Sequence, residues 1–181
     1  DRGYDLYISD SQAVAKILTI QQAEQQLAKL PCSICSKMKK AAINSVAVNL
    51  GANKVAFAHH IDDAVETLFM NMISGGRLAT FKPQMYLDRA DITFIRPLIL
   101  VEETLISKVQ REKKLPLLPY TCPNNKKTRR EDMKQLLTAL YTTYPSAKQN
   151  FQLMLMNENQ TNLWDKNYET VLGNNLIIKK A

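Results

Sequence analysis

Short apolar segments of strand length alternate with longer, helix-length segments along this chain, and no other feature of the sequence constrains the fold as strongly. The periodicity predicts strands at residues 4–9, 54–58 and 92–98, and the largely apolar strand at 54–58 is typical of a buried strand. It predicts helices at residues 11–30, 37–50, 62–73, 102–113, 129–141 and 146–156. Alternation of this kind indicates an α/β fold with a parallel sheet flanked by helices.

Charge and composition favour a polyanionic partner. The net charge of +7 at pH 7 is typical of nucleic-acid-binding proteins, although a merely basic protein carries the same excess. No apolar run is long enough for a membrane span, and no basic-then-apolar leader opens the sequence. We therefore expect a cytoplasmic protein with no membrane partner. The chain opens with Asp1 rather than Met, which indicates a fragment or a processed chain.

Two of the three cysteines stand close together in Pro31-Cys32-Ser33-Ile34-Cys35. Thiols at i and i+3 on the first turn of a helix lie on one side of it. The helix N-terminus and the lysines that follow favour the thiolate, which is the form that binds metal. The same pair is also compatible with a redox site, with half of a zinc site, or with two ordinary cysteines.

The third cysteine, Cys122, lies in a loop between Pro119 and Pro123. A lone cysteine is most often a small buried hydrophobic residue. Together with Cys32 and Cys35, it would instead complete a set of three thiolates. Such a set leaves one coordination position open, on a four-iron cluster or on zinc. The spacing alone leaves both interpretations open.

The turn from the second predicted strand into its helix has the sequence His59-His60-Ile61-Asp62-Asp63. In open α/β sheets, ligands bind where strands end, and the new helix offers unpaired N–H groups to an anion. Neighbouring carboxylates also suit magnesium held against phosphates. The simpler alternative is that the two aspartates only cap the helix.

Basic residues stand on both sides of the Cys122 loop, with four at residues 108–114 and four more at residues 126–130. Lysines and arginines at this density bind a phosphate backbone, whereas either run alone is also typical of a solvated surface. Because two runs bracket a candidate metal loop, we expect RNA binding. The residues expected to contact RNA follow the loop: Lys126, Lys127, Arg129 and Arg130.

Taken in order, these motifs resemble the tRNA 2-thiocytidine synthetase family of PP-loop ATP pyrophosphatases. Each motif is weak alone, but their order and spacing agree over about residues 4–145. The matching segments are Pro-Cys-Ser-Ile-Cys-Ser from Pro31, His-His-Ile-Asp-Asp-Ala-Val-Glu-Thr-Leu from His59, Gly75-Gly76-Arg77, Ile95-Arg96-Pro97-Leu98, and Glu103.

The resemblance implies a nucleotide-hydrolase-type α/β fold of the PP-loop class, incomplete at its N-terminus. Residues 1–145 would form about the C-terminal two-thirds of that domain, and residues 146–181 a helical extension. The resemblance also implies that a tRNA cytidine oxygen is adenylated with ATP and then replaced by sulfur. The implied partners are tRNA, a sulfur donor such as a cysteine desulfurase, and a second copy of the chain.

By the same resemblance, particular residues acquire roles. Cys32, Cys35 and Cys122 match the ligands of a 4Fe-4S cluster, and with Asp62 they are the expected catalytic residues. Nucleotide binding is expected at His59, Asp62 and Asp63, with ATP and Mg²⁺ as cofactors. Zinc is the alternative to the cluster. Arg96 matches the family's Arg-Pro-Leu segment without an assigned role.

The sequence departs from the family in its nucleotide loop. Ser-Gly-Gly-x-Asp-Ser after the first strand is absent, and Ser74-Gly75-Gly76 is no substitute because it ends a predicted helix. Ala58 also replaces the glycine usual before the histidine. Since the loop's downstream partners are present, we expect a chain that lacks the N-terminal third of its domain. Two alternatives stay open: a PP-loop thiolase acting on uridine or another acceptor, and a non-catalytic, metal-bearing RNA-binding fragment.

Overall fold

The computed structural model describes residues 3, 5–8, 16, 19–20, 22–24, 32–117 and 128–157. Helices precede and follow the strands of a small sheet in the described chain, which confirms the predicted α/β class. The elements are α1 (Cys32–Asn49), β1 (Lys54–Ala56), α2 (Ile61–Gly75), β2 (Gln84–Leu87), β3 (Ile92–Ile95), α3 (Glu103–Glu112), α4 (Arg129–Thr143) and α5 (Ala147–Met156).

The described strands form one sheet in the order β1-β3-β2. β1 pairs with β3 in parallel, with Lys54 opposite Thr93 and Ala56 opposite Ile95. β2 pairs with β3 antiparallel, so the sheet is mixed and the prediction of a parallel sheet is wrong for this strand. The reason is the connection: only a short turn separates β2 from β3, and a connection that short permits only an antiparallel hairpin. β2 itself was not predicted from the sequence.

The core of the sheet lies under α1. Ala47 of α1 packs with Ile92 and Phe94 of β3, and the ring of Phe57 meets that of Phe94 edge to face at 4.9 Å. The sequence predicted β1 as a buried strand, which is wrong: Lys54 and Ala56 are exposed, because β1 has only one neighbour among the described strands.

The second packed layer is helical. α2 buries Ile61, Ala64, Val65 and Leu68, and α4 contributes the buried Leu137. α5 joins the same layer, where the ring of Phe151 lies 4.9 Å from that of Phe69 of α2. The predicted boundary near Pro145 falls in the link between α4 and α5.

Predictions near the ends of the chain are tested only in part. Residues 5–8 form no strand, so the strand predicted at 4–9 is wrong for them. Within the helix predicted at 11–30, residues 16, 19–20 and 22–24 are helical. The polar tail beyond residue 157 lies outside the described residues. In the described part of the chain, no helix is both long and apolar enough to cross a membrane.

Adjacent glycines end α2, as the sequence predicted. Gly75 is the last helical residue, and Gly76 is the C-cap in the left-handed conformation, with φ 57°. The N–H of Gly76 donates to the Met72 carbonyl oxygen at 3.2 Å. This geometry stops a helix, so Ser74-Gly75-Gly76 does not form a phosphate loop.

This arrangement predicts opposite effects for two neighbouring substitutions. Gly76→Ala should lower the free energy of unfolding by about 1 kcal/mol, because a Cβ is strained at positive φ. Gly75→Ala should raise it by up to about 1 kcal/mol, because Ala favours the helix and its Cβ would stand 3.6 Å from Arg77 Nε, an ordinary contact. Urea denaturation measures both, and equal effects would contradict the assigned C-cap.

Candidate functional site

The parallel pairing of β1 and β3 brings the two following loops to one edge of the sheet. The loop after β1 contains His59 and leads into α2, and the loop after β3 begins with Arg96 and leads into α3. The loops also bond to each other, since the N–H of Ile61 donates to the Val101 carbonyl oxygen at 3.1 Å. This edge is where ligands bind in open α/β sheets.

The first turn of α2 is held by a reciprocal capping box. His60 is the N-cap: its Nδ1 accepts a hydrogen bond from the N–H of Asp63 at 3.3 Å. In return, the backbone N–H of His60 donates to Asp63 Oδ2 at 3.1 Å. A capping box satisfies donors at the helix start that an anion would otherwise find unpaired.

Asp62 caps a different helix from its own. Its Oδ2 accepts a hydrogen bond from the N–H of Glu103 at 2.8 Å, so a carboxylate from α2 closes the start of α3. Its Oδ1 lies 3.5 Å from Lys148 Nζ, which also contacts Glu102 Oε2 at 2.7 Å. The hydrogen bond from Lys148 lowers the pKa of Glu102. Asp62 therefore ties α2, α3 and α5 together.

The aspartate pair does not fit the predicted magnesium site in this arrangement. Both oxygens of Asp62 have protein partners, as described above, and Asp63 Oδ1 contacts Arg130 Nη1 at 3.1 Å while its Oδ2 accepts from His60. A magnesium ion needs carboxylate oxygens that are available to it. Here the capping interpretation of the two aspartates agrees with the geometry.

Arg130 binds α4 to α2 through a buried carboxylate. Its Nη1 lies 2.9 Å from Glu66 Oε2, and its Nη2 donates to Thr67 Oγ1 at 3.3 Å. Glu66 is buried, and burial raises the pKa of its carboxyl, although the hydrogen bond and charge of Arg130 oppose that rise. Sequence reasoning proposed Arg130 for RNA, and the structure places its guanidinium inside this helix contact.

His59 and Arg96 meet around one aromatic ring. The imidazole of His59 lies 4.9 Å from the ring centre of Phe81, and Arg96 Cζ lies 4.7 Å from the same centre. Burial lowers the pKa of His59, and the positive charges of Arg96, Arg130 and Lys40 act in the same direction against Asp63. The lowered pKa favours the neutral form of the His59 ring.

A pocket of about 190 Å³ opens on the helical side of Asp62. Lys134 crosses it to reach both carboxylate oxygens of Glu103, at 2.6 and 2.7 Å. Tyr141 also lines it, and burial raises the pKa of its hydroxyl to about 12, assisted by nearby carboxylates. No local sequence pattern singled out Lys134, Tyr141 or Lys148, because their role depends on helix packing.

The cysteine pair lies on the first turn of α1, as predicted. Cys32 is exposed and Cys35 is half-buried. Cys122 lies outside the described residues. Within the described ranges, no three Cys, His, Asp or Glu side chains cluster closely enough to hold a metal ion.

The predicted RNA-binding residues are only partly described. Lys126 and Lys127 lie outside the described residues. Arg129 is exposed on the first turn of α4, where its Nη1 donates to Ser74 Oγ at 3.3 Å. Of the predicted site residues, the structure thus brings His59, Asp62, Asp63 and Arg130 together.

Comparison with known proteins assigns this arrangement to a family. Residues 12–139 match the PP-loop domain. A tRNA-cytidine(32) 2-sulfurtransferase from Geobacter sulfurreducens is 39% identical over 128 residues, which cover 70% of this chain and 50% of that protein. Proteins of the same name from Geobacter metallireducens and Sorangium cellulosum are 37% and 34% identical, over 77% and 80% of this chain and 55% and 52% of theirs. The chain therefore spans about half the length of these curated relatives.

One solved structure supports the fold. The U34-tRNA thiolase NcsA from Methanococcus maripaludis, determined with its 4Fe-4S cluster, matches with a TM-score of 0.50 and 20% identity. The match covers 70% of this chain and 43% of that one. At this identity the likeness concerns the fold alone, and the predicted PP-loop class is confirmed by the family match over residues 12–139.

The contact between Arg130 and Glu66 makes a testable prediction about stability. Arg130→Met leaves a buried carboxylate without its cation, which should cost about 2 kcal/mol at pH 7, discounted because the Arg130 side chain is 42% exposed. The pKa of Glu66 in the folded protein is already raised and rises further in the variant. Stability is therefore lost as the pH climbs from about 4.5 through that raised pKa.

Denaturation of the variant between about pH 4 and pH 7 measures this loss. Adding Glu66→Gln should restore much of the stability at pH 7, because the buried carboxylate that lost its cation is then uncharged. Arg129→Met is the matched control and should change stability by no more than about 0.5 kcal/mol. A pH-independent loss for Arg130→Met would argue against the ion pair.

Proposed function

The chain belongs to the PP-loop domain family, and from this premise we propose that it is part of an ATP-dependent tRNA sulfurtransferase that thiolates cytidine. The observation that carries the proposal is the convergence of two motif-bearing loops, from His59 and from Arg96, at the carboxyl edge of β1 and β3. The curated relatives are named tRNA-cytidine(32) 2-sulfurtransferases, and we take cytidine as the proposed acceptor from that name.

The chemistry has two steps. The cytidine carbonyl oxygen attacks the α-phosphorus of ATP, a P–O bond forms, and pyrophosphate leaves. Sulfide-level sulfur then bonds to the carbon that carries this oxygen, and the carbon–oxygen bond breaks to release AMP. Where the sulfur arrives as the outer sulfur of a persulfide, a thiol reductant supplies the two electrons that release it as sulfide. The first step is needed because a carbonyl oxygen is a poor leaving group. A cysteine desulfurase is the donor class we propose, and a second copy of the chain is a further proposed partner.

In this proposal the residues of the α2 turn position the nucleotide. The lowered pKa of His59 favours its neutral ring, in which one nitrogen donates a hydrogen bond and the other accepts one. Asp62 and Asp63 fix the shape of the turn through their caps rather than through a metal ion. Asp62 is thus a positioning residue for the loops at this edge. Arg129, with Lys126 and Lys127, is the proposed contact to RNA.

The cysteines fit a cluster as far as they are described. Cys32 and Cys35 project from one helical turn, both accessible, with lysines following in the same helix. Soft thiolates suit iron–sulfur clusters, and zinc is the alternative. We propose that Cys122 is the third ligand. A bound 4Fe-4S cluster with three thiolate ligands supplies one iron with an open coordination position.

Deletion of the gene in its own organism tests the function. Mass spectrometry of tRNA nucleosides should show loss of 2-thiocytidine, and the wild-type gene should restore it. Asp62→Ala should reduce restoration by about tenfold or more, because α3 loses its cap and Lys148 its partner. Lys108→Ala, an exposed control on α3, should restore fully.

Two other results of the nucleoside analysis would favour the alternative functions. Loss of a thiolated uridine instead would assign a different acceptor. An unchanged nucleoside profile would contradict the sulfurtransferase and favour a metal-bearing RNA-binding fragment.

The cluster is tested separately by anaerobic reconstitution with iron and sulfide. The wild-type chain should bind about four iron atoms and turn brown. Cys32→Ser, Cys35→Ser and Cys122→Ser should each lower the iron content, and Ser33→Ala, on the same helical turn, should not. Equal iron in Cys122→Ser and the wild type would remove Cys122 as a ligand.

A further inference from the structure

The C-terminal end of α3 is surrounded by positive charge. Three basic residues stand there close together: Arg111, Lys113 and Lys114. All three are exposed, and none has a carboxylate partner in the part of the chain that the structure describes. The nearby Lys108 differs from them, because its Nζ lies 3.9 Å from Glu112 Oε1. We call Arg111, Lys113 and Lys114 the α3 basic cluster.

The turn that carries this cluster is held by the hydrogen bonds of a Schellman motif. The N–H of Leu115 donates to the Gln110 carbonyl oxygen at 3.0 Å. The N–H of Lys114 donates to the Arg111 carbonyl oxygen at 3.3 Å. The side-chain amide of Gln110 also donates to the Leu115 carbonyl oxygen at 2.7 Å. The backbone from which the basic side chains extend is therefore fixed.

Lys114 occupies the position of this motif that normally belongs to glycine. Its φ is 48°, in the left-handed region, where a Cβ is unfavourable. The end of α2 has a residue in the same conformation, and there the residue is Gly76. A side chain held at a strained position indicates that the side chain itself has a function.

The cluster lies away from the sheet edge where the loops of His59 and Arg96 meet. α3 begins at that edge, where the N–H of Glu103 donates to Asp62, and it continues for ten residues. At about 1.5 Å per residue, the two ends of α3 are about 15 Å apart. An anion at the cluster is therefore separate from a ligand at the edge.

We propose that the α3 basic cluster contacts the phosphate backbone of an RNA whose reacting base lies at the sheet edge. Exposed lysines and arginines bind backbone phosphates and position a nucleic acid without reading its bases. The Arg111 guanidinium suits a phosphate through paired N–H donors, and Lys113 and Lys114 add point charges beside it. Identifying the RNA as tRNA rests on the proposed function.

The distance from the edge favours RNA over an anionic membrane, the other polyanion that basic surfaces bind. A nucleic-acid strand advances roughly 3.4 Å per phosphate, so 15 Å corresponds to about four nucleotides from the reacting base. A tRNA that delivers a base to the edge extends well beyond that distance. The same substrate therefore reaches both the edge and the cluster.

Binding of unfractionated tRNA to the full chain at several salt concentrations tests the cluster. Lys113→Ala should weaken binding about threefold or more and lower the slope of log K against log salt by about 1, because one phosphate contact is lost. Lys108→Ala is the matched control, because it removes the same charge from the same helix but from a lysine that faces Glu112. It should keep the affinity and the slope of the wild type.

Lys114→Gly separates an RNA contact from a purely structural role. Glycine suits the left-handed conformation, so this variant should need more urea to unfold than the wild type. It should still bind tRNA about threefold more weakly, with a lower salt slope. A variant that gains stability and keeps its affinity for tRNA would overturn the proposed contact.

Vesicles of phosphatidylglycerol and phosphatidylcholine in equal parts replace tRNA in a second arm of the assay. Vesicle binding that depends on Lys113 and Lys114, together with tRNA binding that does not, would assign the cluster to a membrane and overturn the RNA contact. The sulfurtransferase proposal is judged separately, by the nucleosides of the deletion strain. An unchanged nucleoside profile beside cluster-dependent RNA binding would contradict that proposal and leave this contact standing.

Discussion

The hydrogen bond from the N–H of Glu103 to Asp62 joins the first turns of α3 and α2, through two residues that are 41 positions apart in sequence. Parallel pairing of β1 and β3 brings the ends of these strands to one edge, but it does not fix where the following helices start. Asp62 does so, by serving as the missing N-cap of α3, where Glu102 makes no side-chain cap of its own. The relative placement of His59 and Arg96 follows from that constraint.

The same constraint explains the pattern of charges around α2. Once Asp62 is committed to α3, Lys148 approaches it from α5, and Arg130 approaches Asp63 and Glu66 from α4. Each cation is matched to carboxylates on α2 or α3, so the helical layer is held by interlocking partly buried pairs. Partly buried ion pairs add little to the net free energy of folding, because the cost of desolvation offsets most of their attraction. Their main contribution is to hold the helices in one relative geometry. Their effect is to fix the orientation of these helices beside the two loops at the sheet edge.

The sequence predicted the helices well and the sheet less well, for a physical reason. Helix signals are local: the capping residues, the Gly75-Gly76 stop and the apolar spacing of residues 62–73 all lie within one segment. Strand signals depend on neighbours, so β2 was missed and β1 was expected to be buried. The turn from His59 to Asp63 was recognised as a site, but the partners of its side chains come from α3, α4 and α5. Lys148 and Arg130 could not be assigned from spacing, since only packing brings them within 4 Å of Asp62 and Asp63.

The polar side chains at this edge of the sheet differ in how many of their hydrogen-bonding atoms have a partner. The aspartates that the motif singled out have all four carboxylate oxygens engaged by the protein, and so they have the least capacity left for a ligand. Arg96 and His59 are the reverse case: each is anchored on one side and keeps a buried polar atom without a partner on another. Folding alone selects against such atoms, because each one costs the free energy of a lost hydrogen bond.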